Sequence, residues 1–221
     1  PHKEIFNFHK KVLHLFLAMS WILLKTFFLF LTTTVEESSP VPAIAGPVTA
    51  SAVILPKDFN SKYLNDSKKL SEKKRLELKT IIENESIDYA VFFVDSKVID
   101  KINILNSTFK AMHGAINNLK IQPNFISVDG NKFIQYNDIP HKCIIKGDGK
   151  YQNIAAASIL AKTYRDEYMK KLHSKYPEFG WNTNKGYGTK FHMDMNNKHG
   201  KTDFHRKSFK IKKLQLKIQY Q

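Results

Sequence analysis

Two acids in this chain stand where side chains could act together on a substrate. Asp129 follows an apolar, strand-like run and precedes Gly130, in VDGN (Val128–Asn131). An α/β sheet presents side chains to a cleft at such strand ends. Asp166 lies in AAASILAKTYRDEYM, seven residues after Ile159 and so on a similar face of a long helix. Carboxylate oxygens are hard donors that suit Mg²⁺ or Mn²⁺, and cations held in this way make water nucleophilic and stabilise a leaving oxygen. Zinc is disfavoured, because Cys143 is the single cysteine and His192, His199 and His205 lack zinc-site spacing. Lys68, Lys69 and Lys146 could hold phosphates without reading sequence, and Tyr187, between two glycines, could stack on a sugar or base. These residues alone decide little. A lone helical acid is usually solvated, and an Asp-Gly at a strand end is usually a turn.

The elements that must position them are legible. Ala45–Leu55 is small and β-branched and is stopped by Pro56, which predicts a strand. Ser71 can cap a helix that carries Leu76, Leu78, Ile81 and Ile82. Tyr89–Val94 reads as a buried strand. Leu105, Phe109, Met112, Ile116 and Leu119 step by four and three, one face of a helix. Phe125–Val128 and Cys143–Ile145 are short strands, and Gln152–Leu172 is an alanine-rich helix. Beyond it the chain is basic and polar, with Lys185–Thr189 as its sharpest turn. Strands alternating with helices predict a layered α/β domain around a central sheet.

Several short words occur in a fixed order: AGPVTASAVILP (Ala45–Pro56), LNDSKKLSEKKR (Leu64–Arg75), INIL (Ile102–Leu105), VDGN, IKGD (Ile145–Asp148), IAAASILAKTYRDEYM (Ile154–Met169), KGYGT (Lys185–Thr189) and HRKSF (His205–Phe209). Together they resemble bacterial ribonuclease HII from about Ala45 to Phe209. The resemblance implies a ribonuclease H-like fold, a mixed central sheet flanked by helices with a C-terminal helical extension. It also implies an endonuclease that cuts the RNA strand of RNA–DNA hybrids, including single ribonucleotides embedded in duplex DNA. Mg²⁺ or Mn²⁺ is the implied cofactor. Asp129 and Asp166 become the expected catalytic residues, with Asp129 also a metal ligand. Lys68, Lys69, Lys146 and Tyr187 become the expected substrate contacts. A monomer in the cytoplasm, with no membrane partner for the body, is the accompanying expectation.

The resemblance fails in one place. The family opens with an adjacent Asp-Glu on its first strand, followed by Gly-Arg-Gly. Counted back from Ala45, the acid positions here hold Glu37 and Ser38, or Glu36 and Glu37 with one extra residue allowed. Ser39-Pro40-Val41-Pro42 stands where Gly-Arg-Gly should be. Glu36 and Glu37 are the remaining candidates for metal ligation there. A catalytically impaired protein that still binds hybrids is therefore the alternative to an active nuclease.

The chain has 221 residues and carries 35 Lys+Arg against 20 Asp+Glu, a net +15. Residues 1–34 hold four lysines and one acid, so about +12 lies on the remainder, as expected of a partner for a polyanion or of a lysine-rich solvated surface. A single cysteine excludes an internal disulfide framework. Val12–Leu31 is apolar and long enough to span a bilayer, but His14 and Lys25 interrupt it. It reads either as an anchor or leader, or, since the chain opens on Pro1, as the product of a misread frame. The expected organisation is an irregular segment over 1–44, the catalytic domain over 45–209 and a basic tail over 210–221.

Overall fold

A computed structural model describes residues 28–33 (backbone only), 41–61, 64 and 70–209. A five-stranded mixed sheet forms its centre: β1 (Phe28–Thr33), β2 (Val48–Ile54), β3 (Asp88–Val94), β4 (Phe125–Asp129) and β5 (His141–Ile144), in spatial order β3-β2-β1-β4-β5. β2 pairs antiparallel with β1 and β3, whereas β4 pairs parallel with β1 and β5. The helices are α1 (Glu72–Glu85), α2 (Ser96–Asn117), α3 (Gln152–Lys175), the short α4 (Trp181–Asn184) and α5 (Lys190–His199).

The composition of β2 explains its central place. All seven residues are buried, and alternate side chains serve opposite faces. Val48, Ala50, Ala52 and Ile54 pack with Ile99, Ala111, Met112, Ala115 and Ile116 of α2. Val53 and Leu55 pack with Leu78 and Ile82 of α1 and Ala155–Leu160 of α3. The sheet is thus covered on both faces, which is why β2 is buried throughout, its two polar residues Thr49 and Ser51 included. The small side chains of Ala155, Ala156 and Ala157, none of them exposed, let α3 lie close against the sheet. Ser71 caps α1 as expected, its side chain accepting from Lys74 N at 3.2 Å.

Two elements differ from expectation. The helix expected from Leu105 begins at Ser96, capped by Asp95, and breaks within INIL at Asn103 (φ 69°). Asn103 Oδ1 accepts from Asn106 N at 3.0 Å and so restarts the helix, and Leu105, just past the break, is exposed. The second difference is β1. It lies within the segment 1–44 that the sequence reading set outside the domain, yet it fills the middle of the sheet. The last four residues of the apolar run Val12–Leu31 therefore belong to a strand, and no helix among the described residues is long and apolar enough to cross a membrane. β2 answers the strand expected over Ala45–Leu55 but is second in the chain. The C-terminal helical extension is present as α4 and α5.

Candidate active site

β4 and β5 run parallel and end side by side, so the residues just past their C-terminal ends become neighbours. Open α/β sheets bind their ligands at such ends. Asp129, the last residue of β4, is half-buried and Gly130 N bonds Ile144 O at 2.9 Å. β5 leads into a tight turn with Lys146 in the left-handed region (φ 54°). The turn brings the Gly147 N–H onto Asp129 Oδ1 at 2.8 Å. A Cβ at Gly147 would lie 2.5 Å from Ile154 Cδ1 and 3.4 Å from Asp129 Oδ1, so a larger residue there would displace the Ile154 side chain.

The next residue is Asp148, 9% exposed. Its carboxylate has no hydrogen bond or ion pair among the described residues. Sequence reasoning used IKGD only as a motif and passed over its acid. The available signal was topological: acids that follow adjacent parallel strands converge whatever their separation in the chain. Two carboxylates at one strand-end corner are a suitable oxygen donor set for a hard divalent cation, though they do not complete one. No group of three or more metal-ligating side chains occurs among the described residues.

Asp166 sits elsewhere, on α3, 5% exposed and between cations. Arg75 of α1 approaches its Oδ2 at 3.5 Å, and Lys162, one turn earlier, its Oδ1 at 3.4 Å. Glu72, Thr163, Glu167 and Lys170 line the same crevice between α1 and α3. These contacts tie the two helices together, as do Lys79 to Glu167 at 2.8 Å and the Lys170–Glu72 pair.

Tyr187 is half-buried in the turn after α4. Its ring lies 5.5 Å from Lys162 Nζ and 5.6 Å from the Arg165 guanidinium carbon. Gly186 leaves no room for a side chain: a Cβ there would stand 2.5 Å from the Ala45 carbonyl oxygen, and φ is +85°. Gly186→Ala is therefore expected to cost about 1 kcal/mol or more from the backbone conformation alone, seen as a Tm lowered by several degrees. An unchanged Tm would mean that the turn adapts freely. Lys146 is exposed beside Asp129's turn. Glu36, Glu37, Lys68 and Lys69 lie outside the described residues.

The register of β1 bears on the missing first-strand acids. The parallel pairing with β4 runs from Phe28 beside Phe125 to Leu31 beside Val128. The next residue, Thr32, pairs with Ser51 of β2. β1, FLFLTT, carries no acid.

Behind Tyr187 lies a buried imidazole pair. His192 Nε2 and His205 Nε2 are 3.0 Å apart, and Trp181 Nε1–H donates to His192 Nε2 at 3.0 Å. His192 Nδ1 contacts the Tyr187 carbonyl at 2.8 Å, and Thr202 N–H donates to His205 Nδ1 at 2.9 Å. The carbonyl fixes His192 as the Nδ1–H tautomer, and the Thr202 amide leaves the proton of His205 on Nε2. Burial pushes both imidazoles down to about 4, helped at His205 by His192 and Lys201.

A family model described as Ribonuclease HII matches residues 42–212. Ribonuclease HII of Christiangramia forsetii is 58% identical over 177 residues, covering 80% of this chain and 89% of that protein. Ribonuclease HII of Parabacteroides distasonis is 55% identical over 175 residues, covering 79% and 88%. The crystal structure of ribonuclease H2 from Pyrococcus horikoshii OT3 superimposes with a TM-score of 0.67 at 23% identity, covering 82% of this chain and 94% of that one, a likeness of fold.

Proposed function

Because the chain belongs to the ribonuclease HII family, we propose that it is an endoribonuclease that hydrolyses the RNA strand of RNA–DNA hybrids. Single ribonucleotides embedded in duplex DNA belong to the same substrate class. The cofactor is a divalent cation, Mg²⁺ or Mn²⁺, and the working form is a cytoplasmic monomer. The observation that carries this reading is the corner where Gly147 N–H holds Asp129 and Asp148 lies next in the chain.

Asp129 and Asp148 would hold the cation, with Glu36 or Glu37 as the further carboxylate. A cation bound there supplies Lewis acidity and a water acidified enough to attack phosphorus. The protein's own part is orientation. The Gly147 amide orients the Asp129 carboxylate, and Asp148 follows it in the same turn. Lys146, Lys68 and Lys69 contribute positive charge for the phosphate backbone, and Tyr187 offers a ring face held by its glycine neighbours. Asp166 was the second acid expected from sequence. Its contacts with Arg75 and Lys162 favour a supporting role, keeping α1 and α3 in place behind the site.

The test is cleavage of a labelled DNA duplex containing one ribonucleotide. Asp129→Asn is expected to abolish metal-dependent cutting and leave the circular dichroism spectrum unchanged. Cutting at the parent rate would remove Asp129 from the chemistry.

One observation favours the second reading, a hybrid-binding protein with little cleavage. β1, which pairs with β4 as far as Leu31 beside Val128, carries no acid. That reading expects duplex binding that weakens steeply with salt and is indifferent to EDTA. Chelator-sensitive binding would count against it.

A further inference from the structure

The segment Pro42–Pro47 has no regular secondary structure beyond isolated bridges, yet every carbonyl in it accepts a hydrogen bond. Gly188 N donates to Pro42 O at 3.1 Å and Arg206 N to Ile44 O at 2.8 Å. Two buried guanidinium groups take the rest. Arg206, 5% exposed, donates to Ala43 O at 3.0 Å, Gly46 O at 3.1 Å and Pro47 O at 3.2 Å. Arg165, 2% exposed, donates through Nε to Pro47 O at 3.1 Å and through Nη2 to Ala45 O at 3.3 Å. Its third donor, Nη1, reaches Lys185 O at 3.0 Å, in the turn that presents Tyr187. The same guanidinium lies under the Tyr187 ring.

Arg165 is therefore bonded to both sides of a junction. On one side is the segment that leads into β2, and on the other the Lys185–Gly188 turn. The junction is also stitched directly, Ile44 N and Ala45 N donating to Gly186 O at 2.8 and 3.1 Å. A planar fork with separated donors can span three carbonyls at once, which a lysine ammonium on a flexible stem cannot reproduce. Burying an arginine is costly and needs this density of acceptors.

We propose that Arg165 is a positioning residue whose guanidinium locks the Ala45–Pro47 segment to the Lys185–Tyr187 turn and so sets where Tyr187 stands. Its consequence for cleavage rests on the proposed function, and its structural part does not. Arg165 touches no reacting atom in this account. It acts through Tyr187.

The test uses Arg165→Lys in the full chain, with two readouts. The first is amide hydrogen exchange. Ile44, Ala45 and Gly188 are expected to exchange at least about 10-fold faster together, while the β2–β3 amides keep their protection. Unchanged exchange at these three amides, or loosening on one side alone, overturns the proposal, as does a general loss of protection. The second readout is cleavage of the duplex with one ribonucleotide. Here kcat is expected to fall roughly 10- to 100-fold, the scale of a small misplacement, with KM changed less than about 3-fold. Adding Arg165→Lys to Tyr187→Ala is expected to cause no further loss. Independent, multiplying effects would show that Arg165 does not work through Tyr187. Should the parent chain neither bind nor cut the duplex, the proposed function fails, and the exchange result still decides the lock.

Discussion

Asp148→Asn is expected to lower metal-dependent cleavage by at least about 10²-fold, as deeply as Asp129→Asn, whereas Asp166→Asn acts mainly on stability. The argument is one of placement. Asp129 ends β4 and Asp148 lies just past the end of the adjacent parallel β5, and the Gly147 N–H of that turn is bonded to Asp129 Oδ1. Removing either carboxylate takes a hard oxygen donor from the corner, and displacing a reacting group by an ångström alone costs about that factor. Asparagine keeps size and shape, so folding is preserved. Asp166, by contrast, faces Arg75 and Lys162. Its replacement leaves two cations in a crevice without their counter-charge, a loss of stability rather than of chemistry. The check is a set of single-turnover rates for the three variants, with urea unfolding beside them. Parent-like cleavage by Asp148→Asn, or a deep loss in a stable Asp166→Asn, would exchange the two roles.

Acid is expected to destabilise the C-terminal part of the fold well above the pH at which carboxylates protonate. His192 and His205 are essentially unexposed and are pushed down to about 4 by burial. In the unfolded chain an imidazole titrates near about 6.5. Between these values the unfolded state binds protons that the folded state does not, so stability rises with pH across the window. It is complete above about pH 6.5 and is lost as the pH falls towards about 4. The depression corresponds to roughly 3 kcal/mol for each imidazole titrating alone. The 3.0 Å contact between the two Nε2 atoms makes the second protonation harder than the first. Urea midpoints are expected to fall steadily from pH 7 to pH 4.5, and His205→Gln to flatten that slope. A flat profile in the parent chain would mean that the pair is already charged or is open to water. Because His192 holds the Tyr187 carbonyl, the same acid transition should release the Tyr187 turn.

Much of this was legible in the sequence, for physical reasons. The Ser71 cap, the alanine run of α3 and the β-branched β2 are local signals, and the structure carries all three. The ordered motifs from Ala45 onward identified the family before any geometry was known. Three things were not legible. β1 hid in Phe28–Thr33, because a short apolar run at the end of a longer one has no period of its own, and its pairing with β4 is a contact across about 100 residues. The INIL break at Asn103 depends on a left-handed residue capping the next turn, which leaves apolar periodicity intact on either side. At the proposed site, Asp129 is expected from its strand end, whereas the sequence singles out Asp166 and not Asp148. A helical acid near an alanine-rich motif looks more purposeful in one dimension than an acid in a glycine turn. Only the parallel pairing of β4 with β5 reveals that the turn acid is the neighbour.

The most direct measurement is the cleavage of a duplex bearing one ribonucleotide by the full chain, titrated with Mg²⁺ and with Mn²⁺ and repeated in EDTA. The account predicts cutting beside the ribonucleotide that saturates with metal, vanishes in EDTA and is absent from the Asp129→Asn, Asp148→Asn double variant. A folded chain that binds the duplex but does not cut it at any metal concentration would contradict the account. It would mean that, with no acid on β1, two carboxylates at the β4–β5 corner are not enough for the chemistry.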